Sequence, residues 1–183
     1  MKNYLFLILN KIKTMRTKVK ILCVLLVAGF AFSSCDQPVS QQDAIDFINA
    51  ITEEHATLQT EIHVLDELLD NFEEETCYEQ LNEVIETAEL VLSNITKIKL
   101  IEGGENYFNA FKAFAEVQIE LANNEYSKII AILSLPEELY AEKREEHIEL
   151  AESLLDKFYE VYDNFVDARI EILEHFDLLA DEE

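Results

Sequence analysis

Helix-breaking residues are scarce in this chain. Its 183 residues include two prolines and three glycines, and one of those glycines lies in an apolar run near the N-terminus. Because proline and glycine mark turns and interrupt regular structure, long stretches here contain nothing that would break a helix. No stretch of any length alternates apolar and polar residues as a half-buried strand does. The sequence therefore predicts an all-α protein.

Basic residues are scarce in most of the chain. Six lysines and arginines precede Cys35 and no acidic residue does, whereas the part after Cys35 holds 8 basic and 38 acidic residues, a formal charge of −30. A field of that sign repels phosphate backbones and anionic lipid headgroups, so we predict no nucleic-acid partner. It would speed encounter with a basic envelope protein or peptide. The alternative interpretation is that the charge keeps a surface protein soluble.

The motifs of common catalytic and metal sites are missing as well. The chain has no Gly-x-Ser-x-Gly turn, no phosphate-binding glycine loop, no His-Glu-x-x-His and no Cys-x-x-Cys. Di-iron bundles use Glu-x-x-His pairs. The residues three positions before the four histidines are Thr52, Thr60, Arg144 and Ile172. We therefore predict no catalytic residue, no metal site, no cofactor and no enzymatic activity.

The most apolar part of the chain ends at a cysteine. Residues 15–20 form a basic segment, residues 21–32 are apolar, and Ser33, Ser34 and Cys35 follow. A helix of that apolar length reaches only about 18 Å, against the roughly 30 Å hydrocarbon core that a spanning helix must cross. The layout is therefore typical of a secretory signal.

This order of a basic segment, an apolar run, two small residues and Cys35 resembles the lipobox of bacterial lipoproteins. Phe32 stands where leucine is usual, as in the relaxed lipoboxes of Bacteroidetes-type bacteria. The resemblance implies a signal peptide over residues 1–34, cleavage before Cys35, and acyl chains on Cys35 that anchor the protein in the membrane. It implies a location in the cell envelope, at the outer rather than the inner membrane. An ordinary signal peptide with an incidental cysteine is the alternative.

The predicted start of translation is Met15. Everything from Met15 onward is a complete signal by itself, so residues 1–14 are not needed for export. Of the other cysteines, Cys23 leaves with the signal, and Cys77 is predicted to be a small core residue without a disulfide partner.

Four apolar stripes with alternating steps of three and four residues follow the anchor. We predict a lipidated cysteine and tether over residues 35–42, then a helical bundle domain over residues 43–180, in which the first helix spans about 41–72. Ser40 and Asp43 form its predicted capping box. Short connections and the lack of strands favour an antiparallel four-helix bundle.

The other three helices have their own predicted limits. The second begins near Thr76 and Glu79, a second capping pair, and ends at Gly103 and Gly104. The third spans about 106–133. The fourth begins at Pro136, with Ser134 and Glu137 as capping partners, and continues to about Leu179. Its first turns are so highly charged that we expect them to extend beyond the bundle or to bend.

His55 interrupts the apolar stripe of the first helix. We interpret it as a polar core position, a partly buried histidine bonded to a carbonyl or carboxylate, with a metal ligand as the alternative. His63, His147 and His175 are predicted to lie at the surface or its boundary.

The region after the tether resembles small all-helical surface lipoproteins of unknown function. The likeness lies in an opening Asp-Ala helix, a central phenylalanine-rich helix (FNAFKAFAEVQIEL) and a closing helix with phenylalanine near its end. It implies a fold and a location and transfers no active residue. We therefore expect a membrane-anchored envelope lipoprotein that acts as a non-enzymatic interaction or structural module. The alternative is a lipoprotein that binds a small ligand or a cation.

Overall fold

A computed structural model describes residues 39–179 as a set of packed helices. The helices are α1 (Gln41–Asp70), α2 (Glu74–Ile95), α3 (Glu105–Leu121), α4 (Ser127–Leu133) and α5 (Glu137–His175). A π-helical turn, Ala122–Tyr126, joins α3 directly to α4, which leaves four long helical segments in this part of the chain. No strand occurs within residues 39–179. The predicted all-α four-helix bundle is confirmed.

Successive helical segments run in opposite directions. Side-chain hydrogen bonds between neighbours show this, because the residue number rises along one helix as it falls along the other. The pairs are Glu61–Gln80 and Glu54–Asn94 between α1 and α2, and Asn106–Glu171 and Glu120–Lys157 between α3 and α5. The two ends of the bundle are therefore distinct, and the N-terminus of α1 lies beside the C-terminus of α5.

The core follows the predicted stripe in α1. Its buried residues are Ala44, Phe47, Ile48, Ile51, Leu58, Ile62 and Leu65. Cys77 opens the buried face of α2 with no exposed surface, which confirms the prediction of a small core residue. Burial of such apolar surface, at about 25 cal/mol per Å², is the main force that holds the helices together.

The N-terminus of α1 is closed by the predicted capping box. The Ser40 hydroxyl accepts the Asp43 backbone N–H at 3.1 Å, and the Asp43 carboxylate accepts the Ser40 backbone N–H at 3.2 Å. These hydrogen bonds lower the pKa of Asp43. Gln41 and Gln42, which the predicted tether (35–42) and the predicted first helix (41–72) shared, belong to α1.

We expect Ser40→Ala to lower the free energy of unfolding by about 1 kcal/mol, because it leaves a helix N–H without its side-chain acceptor. Thr57→Ala is the matched control, since Thr57 is exposed in the middle of α1 and lies away from either helix end. Urea titrations followed by circular dichroism measure both. An equal effect of the two substitutions would contradict the capping role.

The predicted start of α2 at Thr76 is wrong. The helix begins at Glu74, its N-cap residue is Glu73, and no side chain caps it. Glu74 and Glu75 lie in its first turn, where the positive end of the helix dipole stabilises carboxylates. Three consecutive glutamates therefore start this helix, and its N-cap lies three residues before the one that the capping-box rule predicts.

The predicted end of α2 at Gly103 is also wrong, because the helix stops at Ile95. The Lys97 N–H donates to the Asn94 carbonyl at 2.9 Å, and this shorter hydrogen-bond spacing closes the last turn. The chain then turns, which brings Ile101 into the core. Periodicity continues through this connection because Ile98 and Ile101 still face the core.

Gly103 is required where the connection reaches α3. Its φ is +83°, a left-handed conformation that glycine adopts without strain. A Cβ at this position would also lie 2.8 Å from Nε2 of His175. The connection from α2 is thus held against the C-terminal end of α5.

The buried face of α3 differs from the predicted stripe. Tyr107, Phe114 and Gln118 are buried, whereas Phe108 and Ile119 are only partly buried. The π turn that follows holds one more residue than an α turn and rotates the face that continues into α4. The predicted stripe of Phe108, Phe111, Ala115 and Ile119 agrees with the core at Phe111 and Ala115, which are buried, and missed Tyr107 and Gln118.

The fourth helix starts at the predicted place without the predicted cap. Pro136 is the N-cap residue of α5, and the Ser134 hydroxyl donates instead to the carbonyl of Ile130 at 2.8 Å. Residues 141–146 are all exposed, as expected from their charge. This charged segment lies at the end of the bundle opposite to the N-terminus of α1.

The fourth helix ends before its predicted limit at Leu179. It stops at His175, and Asp177 follows with a φ of +53°. The Leu178 N–H donates to the Leu173 carbonyl at 2.8 Å, and the Asp177 N–H donates to the Glu174 carbonyl at 3.1 Å. This pair of hydrogen bonds is a Schellman motif, built here on an aspartate rather than the usual glycine.

Candidate functional site

His55 lies inside a cluster of aromatic rings. Its ring centroid is 4.8 Å from that of Phe165 and 5.2 Å from that of Phe114, with Phe111 and Tyr162 at 6.1 and 6.3 Å. The apolar stripe of α1 directs the imidazole inward, and α3 and α5 supply the surrounding rings. We refer to these five residues as the His55 cluster.

The imidazole of His55 is neutral at neutral pH. Burial lowers its pKa from 6.5 to about 4, and the positive charge of Arg169 acts in the same direction. Its Nε2 atom is buried and has no hydrogen-bond partner among the described residues. The expected hydrogen bond to a carbonyl or carboxylate is therefore not made by Nε2. In this neutral state the imidazole ring contributes to stability chiefly by packing against the neighbouring rings.

Two further polar side chains carry buried nitrogen atoms without partners among residues 39–179. They are Gln59, one turn beyond His55 on α1, and Arg169 on α5. A buried donor without a partner destabilises the folded state by about 1–3 kcal/mol. Sequence reasoning missed both residues, since glutamine and arginine next to an apolar stripe are usually solvated.

A second polar cluster lies at the π turn. Glu125 is buried, and its Oε1 atom accepts hydrogen bonds from Lys157 at 3.1 Å and from the Ser153 hydroxyl at 3.3 Å. Lys157 also lies 2.7 Å from Oε1 of Glu120. Hydrogen bonds to Glu120 and then to Glu125 raise the pKa of Lys157. We refer to Glu120, Glu125, Ser153 and Lys157 as the π-turn cluster.

The π turn also carries a buried tyrosine. The Tyr126 hydroxyl donates to Oδ1 of Asp66 on α1 at 3.0 Å. Burial, with the Asp66 carboxylate adding to it, raises the pKa of Tyr126 well above 10. The π turn thus connects α1 to α3 through Tyr126, and α3 to α5 through Glu125. π turns occur often at functional sites, and no sequence pattern indicated this one.

The remaining predicted residues lie apart from both clusters. His63 and His175 are exposed and His147 is half-buried, as expected. Nδ1 of His147 lies 3.1 Å from the Tyr140 hydroxyl. Cys35, the signal peptide of residues 1–34 and the predicted start at Met15 lie outside the described residues, so these assignments stay predictions.

Two open grooves lie at opposite ends of the bundle. One, of about 650 Å³, lies beside the first turns of α2 and is lined by Glu73, Glu74, Glu75, Tyr78, Glu79 and Asn82. The other, of about 540 Å³, is lined by Val39, Glu102, Gly103, His175 and Phe176. Neither groove borders the His55 cluster.

Within residues 39–179, no three His, Cys, Asp or Glu side chains are grouped so that they could hold a metal ion. No helix in the same range combines the length and apolar character needed to cross a bilayer.

Comparison with known proteins adds no relative. No protein-family model, no curated protein and no solved structure matches this chain.

Proposed function

We propose that this protein is a membrane-anchored envelope lipoprotein that acts as a non-enzymatic interaction or structural module, with a basic protein or peptide as its partner. The charge distribution is the observation that carries the proposal. Residues 39–179 contain 34 acidic and 8 basic residues, a formal charge of −26. Among these acidic residues Glu125 alone is buried, so nearly all of the negative charge lies at the protein surface. Such a field accelerates encounter with cationic surfaces and repels nucleic acid.

The proposed anchor is Cys35, acylated after cleavage of residues 1–34. Its support is the sequence order of basic segment, apolar run, Ser33, Ser34 and Cys35. Helix α1 begins at Gln41, so only a few residues would separate the anchor from the folded domain. The proposed location is the cell envelope, at the outer membrane, since the lipidated protein needs no spanning helix.

A small-ligand or cation binder is the second candidate function. The unpartnered buried atoms of His55, Gln59 and Arg169 favour it, because a polar ligand could satisfy them. Native mass spectrometry of protein purified from its host tests this function directly. A bound small molecule is the expected result, and a bare chain at the mass of the polypeptide plus acyl groups would contradict it.

We expect Cys35→Ala to abolish acylation and to prevent normal cleavage of the signal, because only the thiol of Cys35 can accept the lipid at that site. Intact-mass measurement of wild-type and variant protein from the host membrane is the test. Cys77→Ala is the control, since Cys77 is buried in the domain and should leave acylation unchanged. A wild-type N-terminus without acyl groups would refute the anchor.

We expect binding to the partner to weaken as salt concentration rises. The Debye length shortens to about 8 Å at physiological ionic strength, so attraction between exposed charges fades. Crosslinking in the host envelope, followed by co-purification across a salt series, identifies partners and measures this dependence. Partners that are all acidic, or all insensitive to salt, would show that the charge serves solubility alone.

A further inference from the structure

Three segments of the chain meet at one end of the bundle, which we call the base. They are residues 39–41, residues 96–104 and residues 175–179. Nε2 of Gln41 donates to the Phe176 carbonyl at 3.0 Å, and Gly103 lies directly against the ring of His175. These contacts fix the three segments relative to one another.

The base is also where the proposed lipid anchor joins the domain. Four peptide steps separate Cys35 from Val39, and an extended chain spans at most about 3.6 Å per residue. The anchor would therefore hold the base within roughly 14 Å of the bilayer surface. No other end of the domain is brought so close by the tether.

The side chains exposed at the base suit a bilayer surface. Lys97, Lys99 and Leu100 all face the solvent, and Leu100 is 45% exposed. With Glu102 as its one acidic residue, the connection at residues 96–104 carries a formal charge of +1 in a domain that is otherwise strongly acidic. Lysines beside a membrane interact favourably with lipid phosphates, and an exposed leucine gains from entering the interface.

Acidic residues lie at the base and beside it, and exposed Asp177 brings the formal charge of the three segments to zero. The carboxylate of Asp43 is engaged by the N–H and hydroxyl of Ser40, and the carboxylate of Glu105 accepts the Gly103 N–H at 3.1 Å. The rest of the domain is repelled by an anionic surface. The base, with a formal charge of zero and two exposed lysines, is repelled far less than the rest of the domain, so the field favours an orientation with the base toward the bilayer.

We propose that the base docks on the phospholipid bilayer in which Cys35 is anchored, with Leu100 in the interface and Lys97 and Lys99 against lipid phosphates. The inference rests on the proposed lipid anchor. In this orientation α1, which is 30 residues long, places the opposite end of the bundle about 45 Å from the membrane. The glutamates at the start of α2 would then face away from the bilayer.

The test uses full-length acylated protein in vesicles that contain anionic phospholipid and a lipid-borne quencher. A fluorophore is attached at Leu100→Cys or, as the matched control at the opposite end, at Leu139→Cys, where leucine is 48% exposed. Cys77 is fully buried, so unsubstituted protein measures background labelling. We expect severalfold stronger quenching at position 100. A label at Thr96→Cys, an exposed position in the same connection, replaces it if Leu100→Cys fails to fold by circular dichroism.

A second pair of variants tests the lysines. Lys97→Gln combined with Lys99→Gln should lower the ratio of docked to undocked protein roughly fivefold per lysine, read as loss of quenching at position 100. Lys112→Gln combined with Lys128→Gln removes the same charge from α3 and α4 and should leave the quenching unchanged.

The outcomes separate the docking from the anchor. Acylated protein whose labels at positions 100 and 139 are quenched equally would overturn the docking and leave the anchor intact. Protein that carries no acyl group by intact mass would overturn the anchor, and the docking with it.

Discussion

Phe165→Ala is expected to lower the free energy of unfolding by about 3–5 kcal/mol. Phe165 is 3% exposed and lies at the centre of the aromatic core. Its ring centroid is 4.8 Å from that of His55, 5.2 Å from Tyr107, 5.4 Å from Phe111 and 6.0 Å from Phe114. Truncation removes apolar burial and leaves a cavity among rings that the three surrounding helices hold in place. Urea denaturation followed by far-ultraviolet circular dichroism measures the loss.

Ile170→Ala on the same helix is the control. Ile170 is 43% exposed, so its truncation should change the free energy of unfolding by no more than about 0.5 kcal/mol. At roughly 2–4 °C per kcal/mol for a domain of this size, the two variants should also differ clearly in melting temperature. Similar losses at positions 165 and 170 would mean that the ring of Phe165 is not at the centre of the core.

Acidification is expected to destabilise the bundle through His55. Its pKa in the folded protein is about 4, against an ordinary value of 6.5 in an unfolded chain. As the pH falls below 6.5, the unfolded chain takes up the proton first, so the free energy of unfolding falls until the pH reaches about 4. A shift of this size corresponds to at most about 3 kcal/mol. Above pH 6.5 the contribution of His55 is constant.

The physical cause is specific to the groups that surround the imidazole. The rings of Phe111 and Phe114 from α3 and of Phe165 from α5 exclude water, and Arg169 adds a like charge. An imidazolium there would have lost its hydration without gaining an anion. Protonation therefore favours the unfolded chain.

His55→Leu isolates this effect. The variant should lose less stability than wild type between pH 6.5 and pH 4, in urea titrations at closely spaced pH values. Asp66 titrates in the same window with the opposite sign. Burial of its carboxyl raises its pKa to about 6, although the hydrogen bond from Tyr126 acts to lower it. The Asp66 side chain is partly exposed to solvent, which limits its effect on the free energy of unfolding. Asp66 is present in both proteins and so cancels in the comparison. A His55→Leu curve parallel to wild type would contradict the prediction.

Local signals predicted the bundle well. The α1 stripe and the capping box of Ser40 and Asp43 were identified correctly, because both depend on residues within one or two turns of each other. The helix end at His175 was missed because its Schellman motif has an aspartate where glycine is the usual signal. The end at Ile95 was missed because it depends on contacts with other segments. Leaving the helix at Ile95 lets Ile101 reach the core, and Gly103 then packs against His175.

The polar residues inside the bundle were likewise predicted only where the signal is local in sequence. His55 was found because it interrupts a periodic stripe, but its neutral state depends on rings contributed by α3 and α5. Glu125 gave no signal, because its burial follows from the π turn and from Lys157 on another helix. The side of α3 that faces the core was likewise set by packing.

The sequence by itself determined the helical class, the number of long helical segments, the excess of acidic charge and the inward position of His55, because periodicity and composition are local properties of the chain. Only the tertiary structure decided which atoms inside the bundle lack partners, such as Nε2 of His55, and which residues meet at the base, such as Gln41 and Phe176. These features depend on groups far apart in sequence, and their proximity follows from how the helices pack against one another.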